Sequence, residues 1–352
     1  MTKAVEDMSK LRIAILGAGN IAQNAHLPIY AARDDVELVA IADLNLDRAK
    51  GAAEKFGIAR AYGSADALLE AERLDAVDIC VWNRSHAPCA IEAAKKGVNV
   101  LCEKPMAWSL DQALQMKRAA EEGGILFMMA LPNRFKPEYR LARRLVDEGR
   151  LGEVYYAKTA MIRRRGTPLG WFTDTEKSGG GPVIDIGVHA IDRAWFLMGC
   201  PKPVRVSAVT SARIGDYKTQ GVNRWVALDS DVTAFDTEDS AAGVIHFENG
   251  ACLLFEVSWA LNAPYQDYTQ VCGDRAGLTM DPLTLYGEEA GHLSDSVLTT
   301  LPADPFQVEI DHFIHCVRTG EASVAPLAHG VAMQRMLEGI YRSAKLGREV
   351  EI

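Results

Sequence analysis

Asp185, His189 and Asp192 follow a run of three glycines, Gly179-Gly180-Gly181. Four-residue spacing puts the first carboxylate and the imidazole on one face of a helix, with Asp192 on roughly the same face a turn later. Far upstream, Cys102-Glu103-Lys104-Pro105 closes an apolar run and supplies a lysine. Lysine, aspartate and histidine are the groups needed to handle the proton of an alcohol while its hydride is removed. The lysine favours alkoxide-like charge on the reacting oxygen. Histidine suits the role of base because its ordinary pKa lies near neutrality. A helix entered through three glycines can bring its first turn close to a bound molecule. Asp192 reads either as a support behind the site or as a structural partner. The Asp/His/Asp set also has ligand spacing for a divalent metal. No other histidine or cysteine cluster accompanies it and a lysine already supplies the polarising charge, so no metal is expected.

A hydride needs an acceptor, and the N-terminus offers one. Leu11–Leu16 is a short strand-like run followed at once by Gly17-Ala18-Gly19-Asn20-Ile21-Ala22. This is a dinucleotide fingerprint with alanine at the third small position. The first glycine permits the tight turn, the second lets backbone approach a pyrophosphate, and the third small residue lets helix and strand pack closely. Amides opening the next helix, at Asn20 and Ile21, would face the phosphates. A second apolar strand, Val36–Ala42, ends in Asp43, whose carboxylate would accept bonds from ribose hydroxyls and repel a 2′-phosphate. Leu44 follows, where an arginine or serine would suggest the phosphorylated cofactor. The reading is NAD in preference to NADP.

Those parts need a scaffold. The first third alternates apolar runs near 11–16, 36–42, 77–82, 98–102 and 125–129 with helical stretches at 46–56, 87–96 and 110–121. Ser109 and Gln112 form a capping box for the last of these. The alternation predicts a doubly wound parallel sheet, with Gly17, Asp43, Asn83 and Lys104 all at the ligand-binding ends of strands. From about residue 150 strand patterns dominate, at 154–165, 204–210, 241–247, 251–258 and 268–272, with a hairpin turn at Glu248-Asn249-Gly250. Two amphipathic helices, near 306–318 and 329–345, close the chain. The predicted division is 1–131 for a dinucleotide domain and 132–352 for a substrate-binding and oligomerisation domain.

The composition excludes other classes. A net charge of −9 with no basic stripe argues against nucleic acid. No apolar stretch is long enough to cross a bilayer. Seven cysteines lie scattered singly, and Met1–Lys10 lacks an apolar core, which together predict reduced thiols and a cytoplasmic protein. Arg163-Arg164-Arg165 and Trp171-Phe172 form an individual stretch. Arg163 and Trp171 are candidates for the substrate wall, since arginine binds carboxylate or phosphate and tryptophan stacks on sugar rings; a charged surface run with a core tryptophan is the alternative. His26 either approaches the pocket mouth or packs. Trp195 and Trp259 read as core.

Taken together, these stretches resemble the glucose–fructose oxidoreductase / inositol dehydrogenase / MocA (Gfo/Idh/MocA) oxidoreductase family. The resemblance runs through the glycine fingerprint, Ile79-Cys80-Val81-Trp82-Asn83 with His86, Glu103-Lys104-Pro105, and Asn133-Arg134-Phe135 with Pro137. It continues through Gly149-Arg150-Leu151-Gly152, the glycine-rich Asp/His segment, Glu238-Asp239-Ser240 and Tyr341–Gly347. It implies a Rossmann domain followed by an α/β domain with a large, mostly antiparallel open sheet that commonly builds homodimers or homotetramers. It implies NAD-dependent dehydrogenation of a secondary hydroxyl on a sugar, glycoside or cyclitol. Lys104 would polarise that hydroxyl, Asp185 hold it and His189 act as general base. Gly17, Gly19, Asn20, Ile21, Asp43, Asn83, Glu103 and Lys104 would bind cofactor. Lys104, Arg163, Trp171, Asp185 and His189 would bind substrate. The Lys104–Pro105 bond is often cis in the family. Trp82 stands where relatives usually carry proline. The same fingerprint serves two other classes: redox-neutral enzymes that cleave glycosides with bound NAD, and dinucleotide-binding sensors, which are expected to lose the lysine or histidine kept here.

Overall fold

The computed structural model describes residues 9–228 and 235–352. The charged stretch Met1–Met8, on which much of the reading of the N-terminus rests, lies outside them.

Mostly apolar runs in the first third form strands covered on both faces, as parallel sheets require. They are β1 (Leu11–Leu16), β2 (Val36–Ala42), β3 (Arg60–Tyr62), β4 (Ala76–Ile79), β5 (Asn99–Cys102) and β6 (Phe127–Met129). The six pair in parallel in the order β3-β2-β1-β4-β5-β6. The direction of winding reverses between β1 and β4, which opens a crevice at their carboxyl ends. Gly17 leaves β1 there, Asp43 leaves β2, Cys80 to Asn83 leave β4, and Glu103-Lys104 leave β5.

The second sheet has nine strands in the order β14-β13-β12-β11-β7-β10-β9-β8-β15. Their ranges are β7 (Val154–Ile162), β8 (Pro203–Ser211), β9 (Ser240–Phe247), β10 (Cys252–Ser258) and β11 (Gln266–Gly273). The remainder are β12 (Gly277–Thr279), β13 (Thr284–Glu289), β14 (His292–Val297) and β15 (Val350–Glu351). Every pairing is antiparallel except β7 with β10. The helix Val188–Leu197 packs on β7, β10 and β11, and its Ile191, Trp195 and Leu197 are sealed in that core.

The closing helices bind the two sheets together. Ile310, Phe313 and Ile314, on Pro305–Thr319, join the core under the parallel sheet. Met333, Met336, Leu337 and Ile340, on Leu327–Leu346, join the core under the second sheet.

Three differences from expectation have physical causes. The short or polar strands β3, β12, β13, β14 and β15 escaped notice because their exposed faces lack a continuous apolar run. The helix Pro137–Asp147 was hidden by its many arginines, although Tyr139, Ala142 and Leu145 supply a buried stripe. The capping box at Ser109 is half made. Ser109 Oγ accepts from Gln112 N at 3.3 Å, but Gln112 Oε1 reaches Trp108 N rather than Ser109.

Candidate active site

The crevice of the parallel sheet opens into a cavity of about 930 Å³. Gly17, Gly19, Asn20, Ile21, Asp43, Asn83, Glu103, Lys104, Arg163, Trp171 and Asp185 all line it. His189 is the one candidate outside this wall.

Gly17 has φ +103°, and a Cβ there would lie 2.5 Å from Cys80 O, so only glycine fits the turn. Ala18 N donates to Asp43 Oδ2 at 2.9 Å, and Asn45 N donates to Asp43 Oδ1 at 2.8 Å. Arg48 Nη1 stands 3.6 Å from the same carboxylate. Asp43 therefore leans on the glycine turn, and its placement fits the edge of a ribose. The glycine cradle that a Cβ would fill, the carboxylate at its rim and the length of the cleft fit a dinucleotide.

At the far end, Lys104 Nζ lies 3.6 Å from Asp185 Oδ1 and donates to Asp185 O at 3.1 Å. Trp259 Nε1 donates to Asp185 Oδ2 at 2.9 Å. The carboxylate is held from one side by the first domain's lysine and from the other by an indole just past β10. Lys104–Pro105 is cis.

Asp185 sits in a π turn, Val183–Gly187, and the α-helix begins only at Val188. The expectation of one continuous α-helical face is thus corrected: the wide turn carries Asp185, and His189 belongs to the regular helix behind it. His189 Nδ1 is buried without a hydrogen-bond partner. Burial, and then the charges of Lys104, Arg193, Lys136 and Arg163, push the His189 pKa well below its ordinary value. It is a neutral imidazole at neutral pH.

The triple glycine has a different cause from the one its sequence suggests. A Cβ on Gly179 would meet Trp108, on Gly180 the Tyr341 hydroxyl at 2.0 Å, and on Gly181 the Glu238 carbonyl at 2.2 Å. Protein neighbours, rather than a ligand alone, demand the small residues. Glu238 is half-buried and accepts from Gly181 N at 3.0 Å, Val183 N at 3.1 Å and Tyr341 Oη at 2.8 Å. Burial raises the Glu238 pKa against those donors. Glu238 and Tyr341 were noticed in the sequence only as motif positions; their joint grip on the glycine loop spans too many residues to be seen there.

Several other residues resolve plainly. Asp192 is a structural partner: Arg134 Nη2 donates to its Oδ1 at 2.6 Å, and both are sealed from solvent. Asn83 Nδ2 donates to Ser178 O at 2.7 Å, tying the two domains. Lys177 lies over the Trp82 ring at 5.6 Å. Trp171 stacks on Phe172 at 4.0 Å, and Phe172 meets Trp225 edge-on at 4.9 Å. Arg165 turns away, donating to Thr219 and Asn262, while Arg164 is exposed. Asn20 Nδ2 donates across the cleft to Val226 O at 3.1 Å. Trp195 and Trp259 are buried as expected. His26 packs beneath the cavity rather than at its mouth, with no solvent exposure. Sequence reasoning missed Trp225 and the indole bond of Trp259; the general need of a buried indole N–H for a partner was the available signal.

Residues 11–131 match the description "Oxidoreductase family, NAD-binding Rossmann fold", and residues 139–279 match "GFO/IDH/MocA C-terminal domain". A D-glucoside 3-dehydrogenase from Escherichia coli (strain K12) is 35% identical over 99% of this chain and 100% of its own. A D-xylose 1-dehydrogenase (NADP(+)) from Haloferax volcanii is 30% identical over 97% of this chain and 100% of its own. The crystal structure of an aldose-aldose oxidoreductase from Caulobacter crescentus, with glycerol, superposes with a TM-score of 0.81 at 26% identity, covering 97% of this chain and 100% of that one. With a glycine cradle fitted to a dinucleotide, a lysine–aspartate pair at its far end and full-length relatives of one kind, the chain belongs to the GFO/IDH/MocA family of NAD-binding oxidoreductases.

Proposed function

We propose that the protein is an NAD-dependent dehydrogenase of a secondary hydroxyl on a sugar, glycoside or cyclitol. The observation that carries this reading is the Lys104–Asp185 pair, contributed by both domains at the end of the dinucleotide cleft. When bound, the nicotinamide ring supplies the hydride acceptor.

The chain supplies everything else. Asp185, locked by Trp259, accepts a hydrogen bond from the substrate and fixes its orientation. Lys104 Nζ donates to the reacting oxygen and stabilises the charge that grows on it as the C–H bond breaks. His189, neutral and one turn behind Asp185, takes the hydroxyl proton. Trp171 offers an apolar face to the sugar ring and Arg163 a donor to its oxygens. Gly17 to Ile21, Asp43, Asn83 and Glu103 line the cofactor's side of the cleft. The carboxylate at Asp43 favours NAD over NADP.

The name of the 35% identical relative makes a glucoside, oxidised at position 3, the first substrate to test. NADH formation by the purified protein across glucosides, free pyranoses and inositols, with Lys104→Met alongside, tests the reading. Turnover on one class, lost in the variant, supports it. Bound cofactor without net NADH on any class would favour redox-neutral cleavage of glycosides instead.

Homo-oligomerisation through the second sheet is part of the same reading. Tyr155, Val209, Tyr286 and Val297 are exposed on its strands and give it apolar surface to cover. Sedimentation of the purified protein as a dimer or tetramer is the expected outcome.

A further inference from the structure

Beneath the cavity lies a set of buried polar groups that, Glu103 apart, has no part in the steps above. His26 sits in a π turn, Ala22–His26, and is fully enclosed. Its Nδ1 is 2.7 Å from Asp78 Oδ2, and its Nε2 is 3.2 Å from Glu103 Oε1. The second contact is close enough for an ion pair but lies off the line of a good hydrogen bond. Glu103 in turn accepts from the backbone N–H of Lys104 at 3.1 Å and lines the cavity beside it.

His26, Asp78 and Cys80 have metal-ligand chemistry and lie within 4.8 Å of one another. The 2.7 Å contact argues against an ion. Two donors on one tetrahedral metal stand roughly 3.3 Å apart, so this pair is bonded directly through a proton.

The remaining role is electrostatic. Two buried carboxylates, Asp78 and Glu103, flank one imidazole, an arrangement that is favourable only with the imidazole charged. Burial is the largest single influence and opposes that charge, but Asp78 and Cys80 together outweigh it and the His26 pKa is raised well above its ordinary value. Burial likewise opposes ionised Glu103, and His26 and Lys104 outweigh it. Apart from Lys104, the groups around the pair add no competing charge. Glu309, on the helix Pro305–Thr319, is driven towards its neutral acid by burial and by Glu103. Tyr30, Cys80 and Cys102 are pushed up, and His86 down, by burial.

We propose that His26 is a positioning residue whose charge keeps Glu103 an ionised carboxylate at the Lys104 end of the cleft, and that this carboxylate makes the site favour oxidised over reduced cofactor. The inference rests on the cofactor assigned above. An oxidised nicotinamide carries a positive charge and a reduced one carries none, so a fixed carboxylate at that end discriminates between them. Without His26, Asp78 and Glu103 share one buried space with no positive charge between them, and the ionised state of Glu103 loses its nearest support.

Equilibrium binding tests this without any sugar. NADH is titrated by its fluorescence, and NAD by competition, from about pH 6 to about pH 8.5. The wild type should hold a constant preference for NAD over that range. In His26→Gln, NAD affinity should fall at least about tenfold relative to wild type, most at the acid end, while NADH affinity stays level. A loss of packing alone would weaken both cofactors together and would overturn the proposal, as would an unchanged ratio at every pH. Glu103→Gln carries the same test should His26→Gln fail to fold: the preference for NAD should vanish at all pH values, and its survival would overturn the proposal. Wild-type protein that binds neither dinucleotide would overturn the cofactor assignment and this inference with it. Absence of sugar turnover leaves the binding result standing.

Discussion

Asp185 is the residue on which the two halves of the site converge. Its carboxylate has one oxygen facing Lys104 and the other bonded to the Trp259 indole, so a substrate meets a group that cannot rotate away. Asp185→Asn should lower kcat by about two orders of magnitude or more, the size of a lost electrostatic or orienting contact, and leave NAD affinity unchanged. Steady-state kinetics beside a binding titration separate the two effects. His189 gives a pH dependence with a definite sign. Its depressed pKa keeps it neutral as pH falls through its ordinary value of 6.5, so the oxidation rate should hold there and drop only at more acid pH. A rate that halves near that ordinary value would remove His189 from the role of base. These residue types and their spacing were readable directly, because Lys104, Asp185 and His189 each lie in a short motif. Trp259 and Tyr341 were not, because their partners are 74 and 103 or more positions away and only the fold brings them together.

Two of the helices that face the cleft open with a π turn, Ala22–His26 in the first domain and Val183–Gly187 in the second. Such turns widen the helix by one residue and swing a side chain off the regular face. Here they turn His26 under the cleft and set Asp185 at its wall. Hydrophobic periodicity finds where a helix lies but is blind to one extra residue in a turn, so the helical register around Asp185 could not be read in advance. The strands of the first sheet were easier, since β1 and β2 are apolar runs broken only by Arg12 and Glu37 near their starts. The glycine loop ahead of Asp185 depends on the Glu238–Tyr341 clamp. Tyr341→Phe removes one hydrogen bond to a half-buried carboxylate and should cost about 1–3 kcal/mol of stability, measured by urea denaturation. Gly17→Ala acts more severely. It combines a left-handed backbone with a Cβ driven against Cys80 O, and should abolish dinucleotide binding in a titration.

The two sheets are joined by buried ionic contacts as well as by packing. Arg134 donates to Asp192, to Val324 O at 2.7 Å and to His329 Nδ1 at 2.8 Å. Accepting that last bond requires a neutral imidazole, and burial with the charges of Arg134 and Arg143 lowers the His329 pKa to about 4. The unfolded chain binds a proton on this histidine from 6.5 downward, and the folded chain does not until about 4. Stability from this group is therefore complete above 6.5 and is lost as pH falls through that window. Thermal melts should show the loss, and His329→Asn should flatten it. Asp192→Ala leaves Arg134 charged in a dry core and should cost about 3–5 kcal/mol, with the catalytic chemistry spared in whatever fraction folds.

The return of Pro305–Thr319 to the first core has a bearing on how such proteins can be recombined. Ile310, Phe313 and Ile314 complete the packing under a sheet whose last strand ended far earlier, at Met129. A fragment cut at residue 131 would carry every residue of the nucleotide fingerprint and still be missing a wall of its own interior. Expressed alone it should expose that gap and aggregate, whereas a fragment rejoined to residues 305–331 through a short linker should remain monodisperse by light scattering. Exchange of cofactor domains between relatives thus requires two segments to travel together, one from each end of the gene, and a chimera that moves only the first inherits a mismatched seam.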